Sequence, residues 1–93
     1  MYSITVLGDV LDLEELSVIT STIKYSLGLE ARASAYGSSL IIEVIIPFTD
    51  YTDIEDTIRE ILRILRNQGY RRILRRDLIP GIGEHRFIVK VRK

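Results

Sequence analysis

The feature that most limits the fold of this chain is how the spacing of its apolar residues changes along the sequence. Apolar and polar residues alternate over residues 2–7, which predicts a half-buried strand. From residue 12 to residue 27 the spacing becomes three and four, which predicts a helix with one apolar stripe. Gly28 follows this stripe, as is typical of the residue after a helix C-terminus.

The same change of spacing recurs in the second half of the chain. Residues 31–46 alternate again and predict a hairpin, with Gly37 and Ser38 at its turn and Pro47 at its end. Three alanines on one face of the first hairpin strand predict that a helix packs closely against it. The alanines are Ala31, Ala33 and Ala35.

The strongest helical pattern covers residues 52–69. Thr52 with Glu55 three residues later is typical of a capping box, and Gly69 is suited to end the helix. The predicted core stripe consists of Ile54, Ile58, Ile61 and Leu65, with Leu62 beside it. Beyond this helix the sequence predicts a strand at residues 70–76, a loop at 77–84 and a final strand at 85–92.

This order of elements predicts one fold class. Two β-α units joined by a hairpin are typical of the ferredoxin-like β-α-β-β-α-β sandwich, an α+β fold with an antiparallel sheet and two helices on one face. The strand at 85–92 is then an additional C-terminal strand. With 93 residues and no long linker, residues 1–93 form a single domain.

In this architecture the sheet has one face that no helix covers. Alternation places five apolar or aromatic side chains on that face, among arginines and lysines, and such a surface is typical of an interface. We therefore predict self-association as a homodimer through this face or an edge strand. The predicted interface residues are Leu7, Tyr36, Ile41, Ile45 and Ile88.

Charge is balanced over the whole chain but separated along it. Residues 69–93 hold eight basic and two acidic groups, whereas residues 1–68 hold five basic and eleven acidic groups. Three interpretations stay open: a cationic edge strand that avoids aggregation, a self-complementary dimer, and a surface for nucleic-acid phosphates. The candidate nucleic-acid residues are Arg71, Arg72, Arg75, Arg76, Arg86, Lys90 and Arg92. Tyr36 is the one outward aromatic on which a base could stack.

The composition argues against most enzymatic chemistry. There is no cysteine and a single histidine, His85, so thiolate chemistry and a two-histidine metal site are excluded. The acidic runs at residues 9–15 and 50–56 coincide with predicted helix starts, where carboxylates stabilise the helix dipole. We expect no catalytic site, no metal and no cofactor.

The remaining expectations concern the cellular setting. No apolar run approaches the length that crosses a membrane, and residues 1–10 lack a basic signal-peptide start, so a cytoplasmic location is the expectation. Ten arginines, one glutamine and one asparagine favour a thermophilic source.

The segment SITVLGDVLDLEELSVITSTI resembles the opening of ACT regulatory domains, which have a strand, a glycine-containing turn and then a helix. The resemblance extends over residues 3–68 and implies the same β-α-β-β-α-β order and a small-ligand regulatory role. The turn of that family carries an acidic residue and then Arg-Pro-Gly, whereas here Asp9 is followed by Val10, Leu11 and Asp12.

Three functions are thus open. The leading prediction is a small non-enzymatic assembly module that self-associates. A nucleic-acid-binding protein that uses the basic C-terminal strands is the first alternative, and an ACT-like ligand-binding domain is the second.

Overall fold

A computed structural model describes residues 13–47 and 53–93, which form an α+β domain with two helices and a four-stranded antiparallel sheet. The predicted class is confirmed at this level. The elements are α1 (Leu13–Leu27), β1 (Glu30–Tyr36), β2 (Ser39–Pro47), α2 (Ile54–Asn67), β3 (Arg72–Pro80) and β4 (Glu84–Arg92). The strand predicted at residues 2–7 lies outside the described residues, so the ferredoxin-like assignment that needs it stays a prediction.

The strand order in the sheet is β1-β2-β4-β3, and every neighbouring pair is antiparallel. The C-terminal strand β4 therefore lies inside the sheet, between β2 and β3, and is not an addition at its edge. Because β2 and β3 are each antiparallel to β4, they run parallel to one another. Helix α2 joins these two strands, so β2-α2-β3 is a β-α-β connection with β4 inserted between its strands.

The core lies between the helices and one face of the sheet. Residues of β2 and β4 alternate between buried and half-buried, as period-two patterning predicts. Their buried members form one cluster with buried residues of both helices, which places α1 and α2 on the same face. The main members of this cluster are Ile19, Ile23, Leu40, Ile42, Val44, Ile46, Ile58, Ile61, Ile64, Leu65, Tyr70, Phe87, Val89 and Val91.

Helix α1 packs against β1 and α2, so the alanines of β1 serve the close approach that their small size predicts. Ala31 and Ala33 are partly buried against the core cluster. Helix α1 ends where predicted, since the Gly28 N–H donates to the Lys24 carbonyl at 2.8 Å. Gly28 has φ +69°, a conformation that favours glycine.

The N-terminus of α2 differs in detail from the prediction. The N-cap is Asp53, whose carboxylate accepts a hydrogen bond from the Asp56 N–H at 3.2 Å. Thr52, predicted for this role, lies outside the described residues. At the other end, Gly69 has φ +98° and turns the chain away from the helix, as predicted.

The structure corrects the boundaries of the third strand. Residues 77–80 were expected in a loop, but β3 extends to Pro80 and the connection to β4 is only residues 81–83. Leu78 and Ile79 are paired with Phe87 and Arg86 of β4. The physical reason is that β4 offers its free edge along its whole length, and pairing it satisfies backbone groups that a loop would leave to water.

Candidate interaction surface

The outer face of the sheet, opposite the helices, carries four of the five predicted interface residues: Tyr36, Ile41, Ile45 and Ile88. Tyr36 is 68% exposed, whereas the three isoleucines are half-buried. Within the part of the chain that the structure describes, no element packs over this face. The fifth residue, Leu7, lies outside the described residues.

Charged side chains separate the isoleucines of the outer face. Ile45 lies between Glu30 and Arg86 on the neighbouring strands, and Ile88 lies beside Glu43. The Arg86 Nε donates to a Glu43 carboxylate oxygen at 2.8 Å. The apolar side chains are therefore interleaved with paired charges and do not form one continuous patch.

The same face has a shallow depression of about 210 Å³ near the Pro47 end of β2. Acidic and basic side chains alternate around it, so it presents both signs of charge within a few ångströms. Its lining residues are Glu30, Arg32, Glu43, Ile45, Glu84 and Arg86. Two of these charges, Glu43 and Arg86, already form an ion pair with one another.

The exposed aliphatic side chains of the sheet lie instead on β3. Ile73, Leu74, Leu78 and Ile79 are each between 41% and 49% exposed. Eight of the nine residues of β3 are exposed and Asp77 is half-buried, so both faces of this strand meet solvent. We refer to Ile73, Leu74, Leu78 and Ile79 with the free backbone edge of β3 as the β3 edge.

The β3 edge has no strand beside it among the described residues, since β3 pairs with β4 alone. Unpaired N–H and C=O groups on such an edge can accept another strand. A register shift between Ile73 and Arg75 leaves Leu74 in a bulge near the start of the strand. From Arg75 onward the pairing is regular through Pro80.

The candidate nucleic-acid residues are divided between two faces. Arg76 is opposite Val89, which is buried in the core, so Arg76 lies on the helix side of the sheet. Arg72, Arg75, Arg86, Lys90 and Arg92 lie on the outer face, and Arg71 precedes β3.

Two pairs of like charges meet on the outer face. Arg72 lies directly opposite Arg92, and Arg75 lies opposite Lys90. These pairs give this end of the face a high density of positive charge. Like charges directly opposite one another destabilise a sheet. The Lys90 ammonium lies 5.3 Å from the centre of the Tyr36 ring, and the Arg75 Nε donates to Asp77 at 2.8 Å.

A polar contact at the edge of the core joins Tyr70, Glu15 and Lys93. The Tyr70 hydroxyl donates to Glu15 Oε1 at 2.8 Å, and the Lys93 ammonium lies 3.1 Å from the same oxygen. Burial, the hydrogen bond to Glu15 and the Glu15 charge all raise the pKa of Tyr70 well above its usual value. This contact joins α1 to the segment before β3, and it explains how a tyrosine can be buried there.

The described residues offer little for catalysis or metal binding. In residues 13–47 and 53–93, no three acidic or histidine side chains are close enough to hold a metal ion. His85 is half-buried on the helix side, opposite Ile46, and not at the exposed position that its place at a strand start suggests. None of the described helices is long and apolar enough to cross a membrane.

Comparisons of the chain with protein-family models, with curated proteins and with solved structures found no significant match. The turn on which the ACT resemblance depends, residues 8–12, lies outside the described residues. The small-ligand alternative therefore stays a prediction.

The apolar residues of β3 were not among the predicted interface residues. Leu78 and Ile79 were predicted in a loop, and only the arginines of this region were candidate site residues. A signal was available, because Leu78 and Ile79 continue the aliphatic pattern of Ile73 and Leu74 beyond the predicted end of the strand.

Proposed function

We propose that this chain is a small non-enzymatic assembly module that associates with a second copy of itself through the β3 edge. The observation that carries the proposal is the coincidence of four exposed aliphatic side chains with a strand edge that no other described strand pairs with. Natural proteins protect such edges with charge, bulges or a covering element, or they use them for association. Here the charges are present, but the aliphatic side chains between them favour association.

The β3 edge is a better candidate than the outer face of the sheet. On the outer face each isoleucine has charged or polar neighbours on the adjacent strands, and two of those charges are already paired with one another. Burying that face would require desolvating several charged groups, which is costly unless each finds a partner. Strand addition at β3 instead satisfies backbone groups that are otherwise left to water.

The ferredoxin-like assignment belongs to the same proposal. The order β1-β2-β4-β3 matches such a sheet if β4 takes the central place that the first strand of the family occupies. The parallel strands β2 and β3, joined by α2, support this as a variant of the split β-α-β arrangement. A cytoplasmic location and a thermophilic source are also proposed, on the absence of cysteine and the scarcity of amide side chains.

Molar mass by light scattering over a range of concentrations tests the proposal. The molar mass of the unmodified protein should rise from 10.7 kDa toward twice that value as its concentration rises. Ile79→Lys, at the β3 edge, should shift this transition to higher concentration. Val18→Lys is the matched control, since Val18 on α1 is 44% exposed and Ile79 is 46% exposed.

A third variant separates the two routes to a dimer. Ile45→Lys adds a charge to the outer face and should leave the transition unchanged. If Ile45→Lys abolishes association and Ile79→Lys does not, the interface is the outer face. A mass of 10.7 kDa at every concentration would rule out self-association altogether.

A second candidate function is binding to nucleic-acid phosphates. The observation that favours it is the pair of like-charge contacts, Arg72 with Arg92 and Arg75 with Lys90, next to the exposed Tyr36 ring. A sheet tolerates such repulsion more readily when an anion offsets it. The surface lacks further exposed aromatics among the described strands, so backbone contacts without base specificity are the expected mode.

Binding of single-stranded RNA and of duplex DNA, measured by fluorescence anisotropy at several salt concentrations, tests this function. Affinity should fall steeply with salt, because each phosphate contact releases a counterion. Arg72→Ala with Arg92→Ala should reduce both the affinity and the salt dependence, whereas Arg59→Ala with Arg63→Ala on α2 should not. An absence of binding at low salt would remove this candidate.

A further inference from the structure

The β3 edge has a sequence that is nearly the same in both directions. Residues 73–79 are Ile-Leu-Arg-Arg-Asp-Leu-Ile, so the aliphatic residues are symmetric about Arg76 and the central charges are opposite in sign. A twofold axis places residue 76 − n of one strand opposite residue 76 + n of its antiparallel partner. A strand with this symmetry is therefore complementary to itself.

We propose that two copies pair their β3 strands in antiparallel fashion about a twofold axis at Arg76, which joins the two sheets into one of eight strands. This inference rests on the proposed function and specifies its register. Leu74 of each copy lies opposite Leu78 of the other, and Arg75 lies opposite Asp77. The helices of both copies then cover the same side of the joined sheet.

The faces of the strand agree with this register. Residues opposite one another in an antiparallel pair share a face. Arg75 and Asp77 lie on the outer face, because they pair with Lys90 and Ile88. Leu78 lies on the helix side, opposite Phe87. Leu74 lies in the bulge between Ile73 and Arg75, and counting back from Arg75 puts its side chain on the helix side as well. The Leu74–Leu78 and Arg75–Asp77 contacts therefore each join side chains on one face. Ile73 and Ile79 lie on opposite faces, so they add no side-chain contact in this register.

Charge complementarity supports the same axis. Within one chain Arg75 and Asp77 form an exposed ion pair at 2.8 Å. The twofold axis brings two such pairs together, so that the four charges alternate in sign around a square. Each carboxylate gains a second cationic neighbour and no like-charged one within the square, a favourable arrangement for a partly desolvated edge.

Neighbouring registers lose this agreement. With the axis at Asp77, two carboxylates meet and Leu78 lies opposite Arg76. With the axis at Arg75, two guanidinium groups meet and Leu74 lies opposite Arg76. Both choices replace aliphatic contacts with an aliphatic side chain opposite a charge.

The register with its axis at Arg76 has one unfavourable contact, which limits the affinity of the dimer. The two Arg76 side chains meet at the axis on the helix side, and like charges directly opposite destabilise a strand pair. A single edge pairing also buries less than the roughly 1,600 Å² of a standard interface. We therefore expect a dimer that dissociates on dilution, and we expect Arg76→Ser to bind its partner more tightly.

Oxidative cross-linking tests the register, because the chain has no cysteine and each introduced thiol is the only one present. Three variants are compared under diamide: Arg75→Cys, Arg76→Cys and Asp77→Cys. Directly opposite residues have Cβ atoms about 5 Å apart, close to disulfide geometry, whereas residues displaced by two positions are farther away. Arg76→Cys should therefore form the disulfide-linked dimer about tenfold faster than the other two.

A mixture of Arg75→Cys and Asp77→Cys provides the second measurement. These positions face each other across the proposed axis, so the mixture should give the linked heterodimer faster than either variant gives its own homodimer. Ser34→Cys on β1, the opposite edge of the sheet, is the control and should cross-link slowly. Circular dichroism confirms that each variant keeps its fold.

Charge reversal provides an independent measurement. Arg75→Asp alone puts like charges opposite one another and should raise the dissociation constant about tenfold. Adding Asp77→Arg to it exchanges the two charges and should restore most of the affinity.

The outcomes separate the inference from the proposed function. A dimer whose fastest cross-link is at residue 75, 77 or 34 overturns the register and leaves self-association standing. A protein that stays monomeric by light scattering overturns both. A charge exchange that restores no affinity counts against the Arg76 axis even where Arg76→Cys cross-links.

Discussion

β2 and β3 are two nine-residue strands that share a neighbour, β4, yet they differ in almost every other respect. The helix side of β2 is fully buried, from Leu40 to Ile46. Every residue of β3 is at least partly exposed, including those on the helix side. Pairing with β4 is thus enough to define a strand, but burial under the helices is what makes a strand part of the core.

The sequence explains this difference. The helix-side positions of β2 are all aliphatic, whereas β3 places Arg76 and Pro80 at helix-side positions between and beyond its aliphatic residues. A guanidinium group cannot be buried beneath α2 without a partner. Strand β3 is therefore free to serve a surface function that β2 cannot serve.

The largest loss of unfolding free energy should come from a substitution in the buried core. Phe87 of β4 is 1% exposed, and Phe87→Ala should lower the free energy of unfolding by about 3–5 kcal/mol through lost burial and a residual cavity. Urea denaturation followed by circular dichroism measures the change. A loss below about 1 kcal/mol would show that the core cluster is far less tightly packed than described.

Tyr70→Phe examines the contact that joins the segment before β3 to α1. Removing the hydroxyl leaves Glu15 with Lys93 alone, and the unfolding free energy should fall by about 1.5–3 kcal/mol. The raised pKa of Tyr70 adds a pH signature. Above about pH 10 the unfolded chain loses this proton first, so the stability of the unmodified protein falls as pH rises further.

The pH dependence of stability separates the contribution of Tyr70 ionisation from that of its hydrogen bond to Glu15. Tyr70→Phe should lose less stability between about pH 10 and 11 than the unmodified protein does, because one titrating group is missing. Tyr25→Phe is the control for loss of a tyrosine hydroxyl, since the Tyr25 side chain is exposed. Parallel profiles for all three proteins would contradict the role of burial at Tyr70.

Gly69→Ala tests the turn between α2 and the β3 segment. Gly69 has φ +98°, which an alanine rarely adopts, so we expect a loss of about 1–2 kcal/mol. Gly69→Asn should cost less, since asparagine tolerates positive φ better than alanine does. Thermal denaturation of the two variants measures the difference.

The smallest change in unfolding free energy should come from a substitution in the exposed strand β3. Leu78 lies directly opposite Phe87, but Leu78→Ala in dilute protein should change the unfolding free energy by about 0.5 kcal/mol or less. At concentrations where the dimer forms, the same substitution should cost more, because association stabilises the folded state. A large loss in dilute protein would mean that β3 belongs to the core.

Much of the fold follows from local patterns. The stripe of α2 predicted Ile58, Ile61 and Leu65 as core residues, and the structure buries all three. Alternation in β2 and β4 selected the buried face correctly, because a period of two leaves only two choices and the aliphatic residues occupy one of them. The glycines that end both helices were also predictable from their position after each stripe.

The strand order and the site were harder to predict. Strand β4 follows β3 after a short connection, but its pairing with β2 spans α2 and β3. The central position of β4 therefore depends on long-range pairing that local periodicity does not encode. The exposure of Leu78 and Ile79 depends on how far the helix layer extends, which the residues themselves do not specify. The arginines of residues 71–76 predicted a charged surface, but the aliphatic residues between and after them indicate an apolar contact in the same region.

The inserted position of β4 has a consequence for biosynthesis. During translation β1, β2 and α2 leave the ribosome before residues 84–92 do, so the inner edge of β2 has none of the described strands beside it until β4 is synthesised. Strand β3 depends on the same late segment for its only described pairing. Until β4 is synthesised, Leu40, Ile42 and Val44 of the nascent chain lie beside an edge that no other described strand on that side covers, and a nascent chain with such an edge is prone to aggregation.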